Sequence, residues 1–318
     1  MTDDLLSGDP LLHFPGSLSP SRTNDFLTCP LLFRFRSIDR IPELSSAAAL
    51  RGTLVHTTLE KLFDLPASDR NVARARVLLT AAWIALSDED PDSAGVLRDE
   101  LGLASDREPA DIAEQILVKV LPLLDTYFAL EDPKRLEPHA RELAVSAVIA
   151  EEFTIRGFVD RIDRTPGGDI RIVDYKTGKA PGARYEAKAM FQMRFYALAW
   201  WRMTGDIPRL LQLMYLGSSD VLKYEPNEAD LLATESKILA VRSAINEAAR
   251  SGTFAPTTSK LCDWCAHRSL CPAWGGVLPE LPAIDTWISQ TSRVTLASDS
   301  GLVPLPGTLV TGTTAEQS

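Results

Sequence analysis

The chain has four cysteines, and their placement constrains the fold more than any other feature of the sequence. Cys29 stands alone near the start, while Cys262, Cys265 and Cys271 form a Cys-x2-Cys-x5-Cys loop near the end. Scattered core cysteines do not fall this way, whereas a four-thiolate metal or cluster site takes several ligands from one tight loop. A fourth ligand about 230 residues upstream would tie the two ends of the fold together. Structural zinc usually draws its ligands as two local pairs. The one-plus-three distribution, with proline after Cys29 and Cys271 as in bacterial ferredoxin runs, favours a [4Fe–4S] cluster over zinc. Closing so long a loop would restrict the unfolded chain, so the expected role is structural.

A second constellation lies between those ends. Gly157-Phe158-Val159-Asp160-Arg161-Ile162-Asp163 precedes Asp174-Tyr175-Lys176-Thr177-Gly178-Lys179, with Pro166-Gly167-Gly168 between them. Side chains alternate along a strand, so Asp174 and Lys176 share a face and Tyr175 takes the other. If Pro166-Gly167-Gly168 is a three-residue loop, Thr165 faces Asp169 and Asp160 comes opposite Asp174. Two facing carboxylates repel unless a cation lies between them, and hard-cation sites are built from carboxylates, a backbone carbonyl and water. Asp160, Asp174 and the Tyr175 carbonyl are therefore the expected ligands of Mn²⁺ or Mg²⁺, with His56 as a nitrogen ligand that suits Mn²⁺ better. Such an ion generates hydroxide from bound water and polarises a phosphate oxygen. Lys176 would orient that water or offset charge on phosphorus. Asp-x-Lys by itself is common by chance; the two motifs in succession around a glycine turn are far more specific. Glu142, at the start of the first strand, could approach the ion as well but is not counted in this ligand set.

Periodicity and turn signals sketch the organisation. Ser19-Pro20 opens a short helix that ends at Cys29-Pro30, and residues 52–63 form a second helix carrying His56 beside its apolar stripe. Residues 70–86 and 110–130 are longer helices, separated by an acidic loop over 88–108 and taken together as a helical insertion. Strands follow over 142–149, 153–162 and 170–175, then a helix over 186–202, a strand over 210–216 and a helix over 228–250. The expected units are residues 1–65 with the first cysteine and the histidine, 66–138 as the insertion, 139–250 as the catalytic core, 251–275 as the cysteine loop and 276–318 as an extension, mobile from about residue 292.

Composition narrows the function. The net charge of −10 over 318 residues argues against a protein that simply coats DNA, because phosphate neutralisation needs a basic surface. Basic residues do gather locally, at Arg34, Arg36 and Arg40, at Lys176, Lys179, Arg184 and Lys188, and at Lys260, His267 and Arg268. The first twenty residues carry acids where a secretory signal is basic, and no apolar run reaches membrane-spanning length. The cytoplasm is the expected compartment, and reduced thiols there favour metal ligation over disulfides.

These motifs resemble the RecB-like branch of the PD-(D/E)XK nuclease superfamily, over most of the chain from Leu18 to Pro272. Leu18 to Arg22 with Cys29-Pro30 is similar to the family's opening, and Gly52-Thr53-Leu54-Val55-His56 to its histidine motif. Gly157 to Asp163 and Asp174 to Lys179 match its two acidic motifs, and Gln192-x3-Tyr196 its glutamine–tyrosine motif. The resemblance implies an α/β restriction-endonuclease-like core, a mixed central sheet flanked by helices. It implies Asp160, Asp174 and Lys176 as the catalytic set, His56 as a further metal ligand, and Gln192 and Tyr196 as residues that contact DNA or support the site. Its iron–sulfur subgroup has the same one-plus-three cysteines. The implied activity is a metal-dependent DNA exonuclease acting on single strands or duplex ends in repair. The chain lacks a Gly-x4-Gly-Lys-Ser/Thr phosphate loop, so unwinding would have to come from a separate helicase or not be needed. Two other readings compete: an inactive DNA-binding or scaffolding subunit of a helicase–nuclease complex, and a zinc-bound structural protein. The intact set of acids, lysine and histidine speaks against both.

Overall fold

A computed structural model describes residues 14–100, 102, 109–150 and 153–282. The tail expected to be mobile, and the turn expected at residues 151–152, lie outside the described residues.

The chain begins with β1 (Ser17–Leu18), α1 (Pro20–Thr28) and α2 (Pro30–Phe33). Ser19 caps α1, its hydroxyl accepting from the Arg22 N–H, and Pro20 occupies the first turn, where a missing N–H costs nothing. α3 (Ala47–Leu62) starts ahead of the expected Gly52, because Ser46 caps it by accepting from the Ala49 N–H. α4 (Val72–Glu89), α5 (Pro91–Glu100) and α6 (Pro109–Leu130) follow. α5 corrects the expectation of a loop over residues 88–108. Its proline falls at the first helical position, the Asp90 carboxylate accepts from the Ser93 N–H, and Ala94 and Leu97 are buried.

The remaining elements are β2 (Ala140–Ala150), β3 (Phe153–Arg164), β4 (Ile170–Lys176), α7 (Ala183–Thr204), β5 (Leu210–Tyr215), β6 (Asp220–Tyr224) and α8 (Glu228–Ser251). β1 and β6 were not expected; both are short, and neither carries a long β-branched run. The sheet is mixed: β2–β3, β3–β4 and β5–β6 are antiparallel, while β1–β3 and β4–β5 are parallel. α1, α7 and α8 contribute to the core on one face, and α3 to α6 to the core on the other. The expected α/β class, a mixed central sheet flanked by helices, is what the chain adopts.

β3 positions the site. β2 runs along one of its edges, from Phe153 to Ile162. The opposite edge serves two strands, β1 at Thr154–Ile155 and β4 at Arg161–Arg164. Between them Arg156–Asp160 have no strand partner on that edge among the described residues, which opens a cleft in the sheet. The hairpin register is the expected one: the Thr165 N–H donates to the Asp169 carbonyl at 2.9 Å, and the ladder ends at Arg161–Val173. Asp160 and Asp174 are the next facing positions, where the strands part.

Both strands of the β2–β3 pair change face at this point. Leu143, Val145, Ile155 and Val159 pack in the α7–α8 core, and so do Ala140 and Ile162. The spacing of three from Ala140 to Leu143, and from Val159 to Ile162, breaks the period of two. The break falls at Glu142, whose φ of 43° is left-handed.

Candidate active site

α3 lies over the sheet face opposite α7 and brings His56 to the cleft. The His56 Nε2 is 2.9 Å from the Tyr175 carbonyl oxygen and its Nδ1 is 3.4 Å from Asp160 Oδ2. That same carboxylate oxygen accepts from the Tyr175 N–H at 2.7 Å. His56, Glu142 and Asp160 offer ligand atoms within 4.8 Å of one another, and His56 and Glu142 also line an open groove beside Gly52 and Glu60. The trio includes Glu142, a residue not counted among the expected ligands, and does not include Asp174. The left-handed backbone at Glu142 coincides with the turn of its strand toward the histidine, and only tertiary geometry reveals it.

Asp174 is buried and held by a different set. Lys176 Nζ lies 2.6 Å from Asp174 Oδ2 and donates to Gln192 Oε1 at 3.0 Å, while Gln192 Nε2 donates to Asp174 Oδ1 at 3.1 Å and to the Tyr196 hydroxyl at 3.0 Å. The amide is oriented by its neighbours, oxygen to the ammonium and nitrogen to the carboxylate. One helix turn of α7 thus brings Gln192 and Tyr196 to the acidic motif, as supports of Asp174 and Lys176. Gly157 belongs to this arrangement as well. A Cβ there would lie 2.6 Å from Tyr196 Cε1, so the glycine lets the ring lie against β3.

The electrostatics are those of a site short of positive charge. Burial and then the Asp160 charge push Glu142 up to about 7, and the same two causes raise Asp174 against the pull of Lys176. Burial alone would lower His56, but its hydrogen bond to Asp160 and the surrounding carboxylates raise it to about 9. Burial and crowding that disfavour carboxylate charge are relieved by a cation.

Tyr175 serves both faces. Its carbonyl meets His56, while its phenol oxygen accepts from the buried Arg161 guanidinium at 2.6 Å. Arg161 also pairs with Glu131 at 2.8 Å and Asp163 at 3.1 Å, and Arg171 pairs with Asp163 at 2.7 Å. Asp163, though part of the acidic motif, is thereby a structural anchor. Glu131, at the end of α6, carried no motif signal.

Several of the expected basic clusters are already neutralised. Arg34 is buried against Asp39 at 3.0 Å, Arg36 pairs with Asp25 and Glu43, His267 with Glu43, and Arg268 with Asp263. Lys188 donates to Thr28, and Arg40, Lys179 and Lys260 are exposed. The Arg184 side chain lies outside the described residues.

Cys29, Cys262, Cys265 and Cys271 are free, half-buried thiols that line one cavity with Phe35 and Trp274. The Thr257 N–H donates to Cys29 Sγ at 3.3 Å and the Ser259 N–H to Cys262 Sγ at 3.4 Å. Among the described residues, no three of the sulfurs gather within the 4.8 Å that encloses the His56 trio. The segment around α2 and the cysteine-rich segment also meet without the thiols: Arg34 donates to the Pro279 carbonyl at 2.6 Å, and the Phe33 and Phe254 rings stack at 6.5 Å. Gly276 packs on the backbone of Ser269–Cys271, where a Cβ would meet Ser269 O at 2.3 Å.

A mixed sheet that opens at facing aspartates, with a lysine two residues beyond the second, is the core of a nuclease class. This chain belongs to the PD-(D/E)XK nuclease superfamily, whose family model matches residues 17–272. The Gene 69 protein of Mycobacterium phage L5 is 24% identical over 286 residues, spanning 80% of this chain and 96% of the phage protein. Among solved structures, a Eubacterium rectale protein provisionally named as an exonuclease is 15% identical, covers 89% of this chain and 98% of its own, and aligns with a TM-score of 0.45. The protein SSO0001 is 14% identical, with 81% and 87% coverage and a TM-score of 0.37. Among the described residues no helix is long and apolar enough to cross a membrane.

Proposed function

We propose that this protein is a divalent-metal-dependent exonuclease of the RecB-like, iron–sulfur branch of the superfamily. It would hydrolyse phosphodiester bonds of single-stranded DNA or duplex ends in DNA repair or recombination. The observation that carries this reading is the convergence of His56, Glu142 and Asp160 beside the Tyr175 carbonyl, with Lys176 at the neighbouring strand position.

The donors fit a hard ion that tolerates one nitrogen, Mn²⁺ or Mg²⁺. His56, Glu142, Asp160 and the Tyr175 carbonyl would hold it. When bound, the ion lowers the pKa of a water and polarises a phosphate oxygen. The chain's own groups do the rest. His56 and Asp160 fix the position of the Tyr175 peptide from both of its polar sides. Asp174 and Gln192 clamp the Lys176 ammonium at the edge of the cleft, where it offsets charge building on the phosphate. Tyr196 holds the Gln192 amide.

The four thiolates suit a [4Fe–4S] cluster. All four line one cavity, and backbone N–H groups donate to Cys29 and Cys262; the one-plus-three spacing is what favours the cluster over zinc. Exonuclease over endonuclease rests on the RecB-like motifs.

Oligodeoxynucleotides labelled at either end, incubated with Mn²⁺, test the activity: stepwise shortening is expected from the wild type and none from Asp174→Ala or Lys176→Ala. Equal cleavage by all three proteins would assign the activity to a contaminant and remove the proposal.

A further inference from the structure

The sheet face that carries the site continues away from it as an open surface. Phe158, Arg156 and Thr154 follow Asp160 on the same face of β3, with Ala144, Ser146 and Val148 as their cross-strand partners on β2. The other face of these strands is buried under α7, but this one is uncovered: Phe158 is 62% exposed and Val148 64%. An isolated exposed apolar residue is ordinary on a protein surface. Phe158 differs because of what flanks it. Two strand residues, about 6.8 Å, separate it from Asp160 on one side and from Arg156 on the other. Small side chains opposite, at Ala144 and Ser146, leave the ring standing above a shallow floor, with Arg156 half-buried beside it.

The charge is also unusual for a chain of net charge −10. Arg156 makes no ion pair among the described residues, and burial without a neighbouring carboxylate lowers its pKa. Arg22 reaches β1 by donating to the Ser17 carbonyl at 3.1 Å. It is lowered to about 10 by burial and then by the positive charges of Arg156 and Arg40. The acid that acts on Arg22, Asp25, is itself paired with Arg36. Arg22 is engaged by Ser17, Ser37 and the Phe33 ring, so Arg156 is the guanidinium on this face without a side-chain partner among the described residues. Such a group is satisfied by an anionic ligand.

We propose that the open face of β2–β3 is the track that delivers single-stranded DNA to the site, with Phe158 stacking on the base next to the scissile phosphate and Arg156 taking the phosphate beyond it. The occupant follows from the chemistry. Arginines without acids take phosphates, and an exposed ring takes the face of a base only where that base is unpaired, because in a duplex its neighbours cover it. Rows of two strand residues give a repeat comparable to that of an extended single strand. The track rests on the nuclease reading for its purpose, but its test does not depend on cleavage.

Binding is measured by fluorescence anisotropy on the full-length protein in EDTA, with fluorescein-labelled oligodeoxythymidine and with a blunt duplex as probes. Phe158→Ala is expected to weaken single-strand binding on the order of 10-fold, Phe158→Trp to retain it, and neither to alter duplex binding. Arg156→Gln is expected to weaken binding and to flatten its logarithmic salt dependence by about 0.7. An unchanged thermal midpoint in each variant shows that the fold is intact. Wild-type affinity in Phe158→Ala, an unchanged salt slope in Arg156→Gln, or no single-strand binding by the wild type would overturn the track. Intact binding with no Mn²⁺-dependent cleavage would instead overturn the nuclease reading and leave the track standing.

Discussion

Glu142 and Asp160 occupy facing positions on β2 and β3, between the Arg141–Arg161 and Leu143–Val159 pairs, at the point where both strands exchange the face they bury. A left-handed φ of 43° at a glutamate is a conformation that costs energy and persists where function requires it. Replacing Glu142 with glycine should therefore give a protein more stable than Glu142→Ala by about 1 kcal/mol, measured by urea unfolding. Both should bind Mn²⁺ at least about 10-fold more weakly than the wild type, measured by calorimetry. Wild-type Mn²⁺ affinity in both variants would take Glu142 out of the ligand set.

Gly157 and Tyr196 form the second sensitive contact. A methyl group at residue 157 would displace a ring that is 7% exposed and that anchors Gln192. Gly157→Ala is expected to cost about 1–3 kcal/mol through overpacking and to lower cleavage through Lys176. In a Tyr196→Ala background the same substitution should cost little, because the obstruction is gone. Additive losses in the double variant would show that the two residues do not interact.

The Arg161–Glu131 pair braces Tyr175 from the side away from the ligand atoms, and its expected contribution is to stability. Glu131→Ala leaves a buried guanidinium without its bidentate partner and should cost about 3–5 kcal/mol. Chemical denaturation reads this directly, and the residual folded fraction should cleave at the wild-type rate. A loss below about 1 kcal/mol would mean that Asp163 and Tyr175 satisfy Arg161 unaided.

Anaerobically purified protein is expected to be brown and to carry about four irons per chain. Cys271→Ser should bleach it and raise protease cleavage near residues 28–45 and 254–280 together. The fold should survive, since Arg34 and Phe33 still hold the C-terminal segment. A colourless, zinc-loaded wild type would replace the cluster with a zinc site.

The sequence by itself determined what short-range geometry fixes. Strand alternation and a three-residue turn set Asp160 opposite Asp174 and put Lys176 beside it, and helical spacing put Gln192 in register with Tyr196. Those relationships depend on backbone periods and the sequence carries them in full. Tertiary structure decided which groups meet. Glu142 enters the trio because its strand turns over at a strained residue, and no composition or period announces that. His56 arrives because α3 packs across the sheet, which depends on a core shared with α4 and α6. Asp174 is drawn to Lys176 and Gln192 by an amide on a helix from the opposite face. Arg34 and Arg36, which read as a basic cluster, are consumed by Asp39, Asp25 and Glu43 because buried charge must be paired wherever the chain brings it. Local periods select faces; packing selects partners.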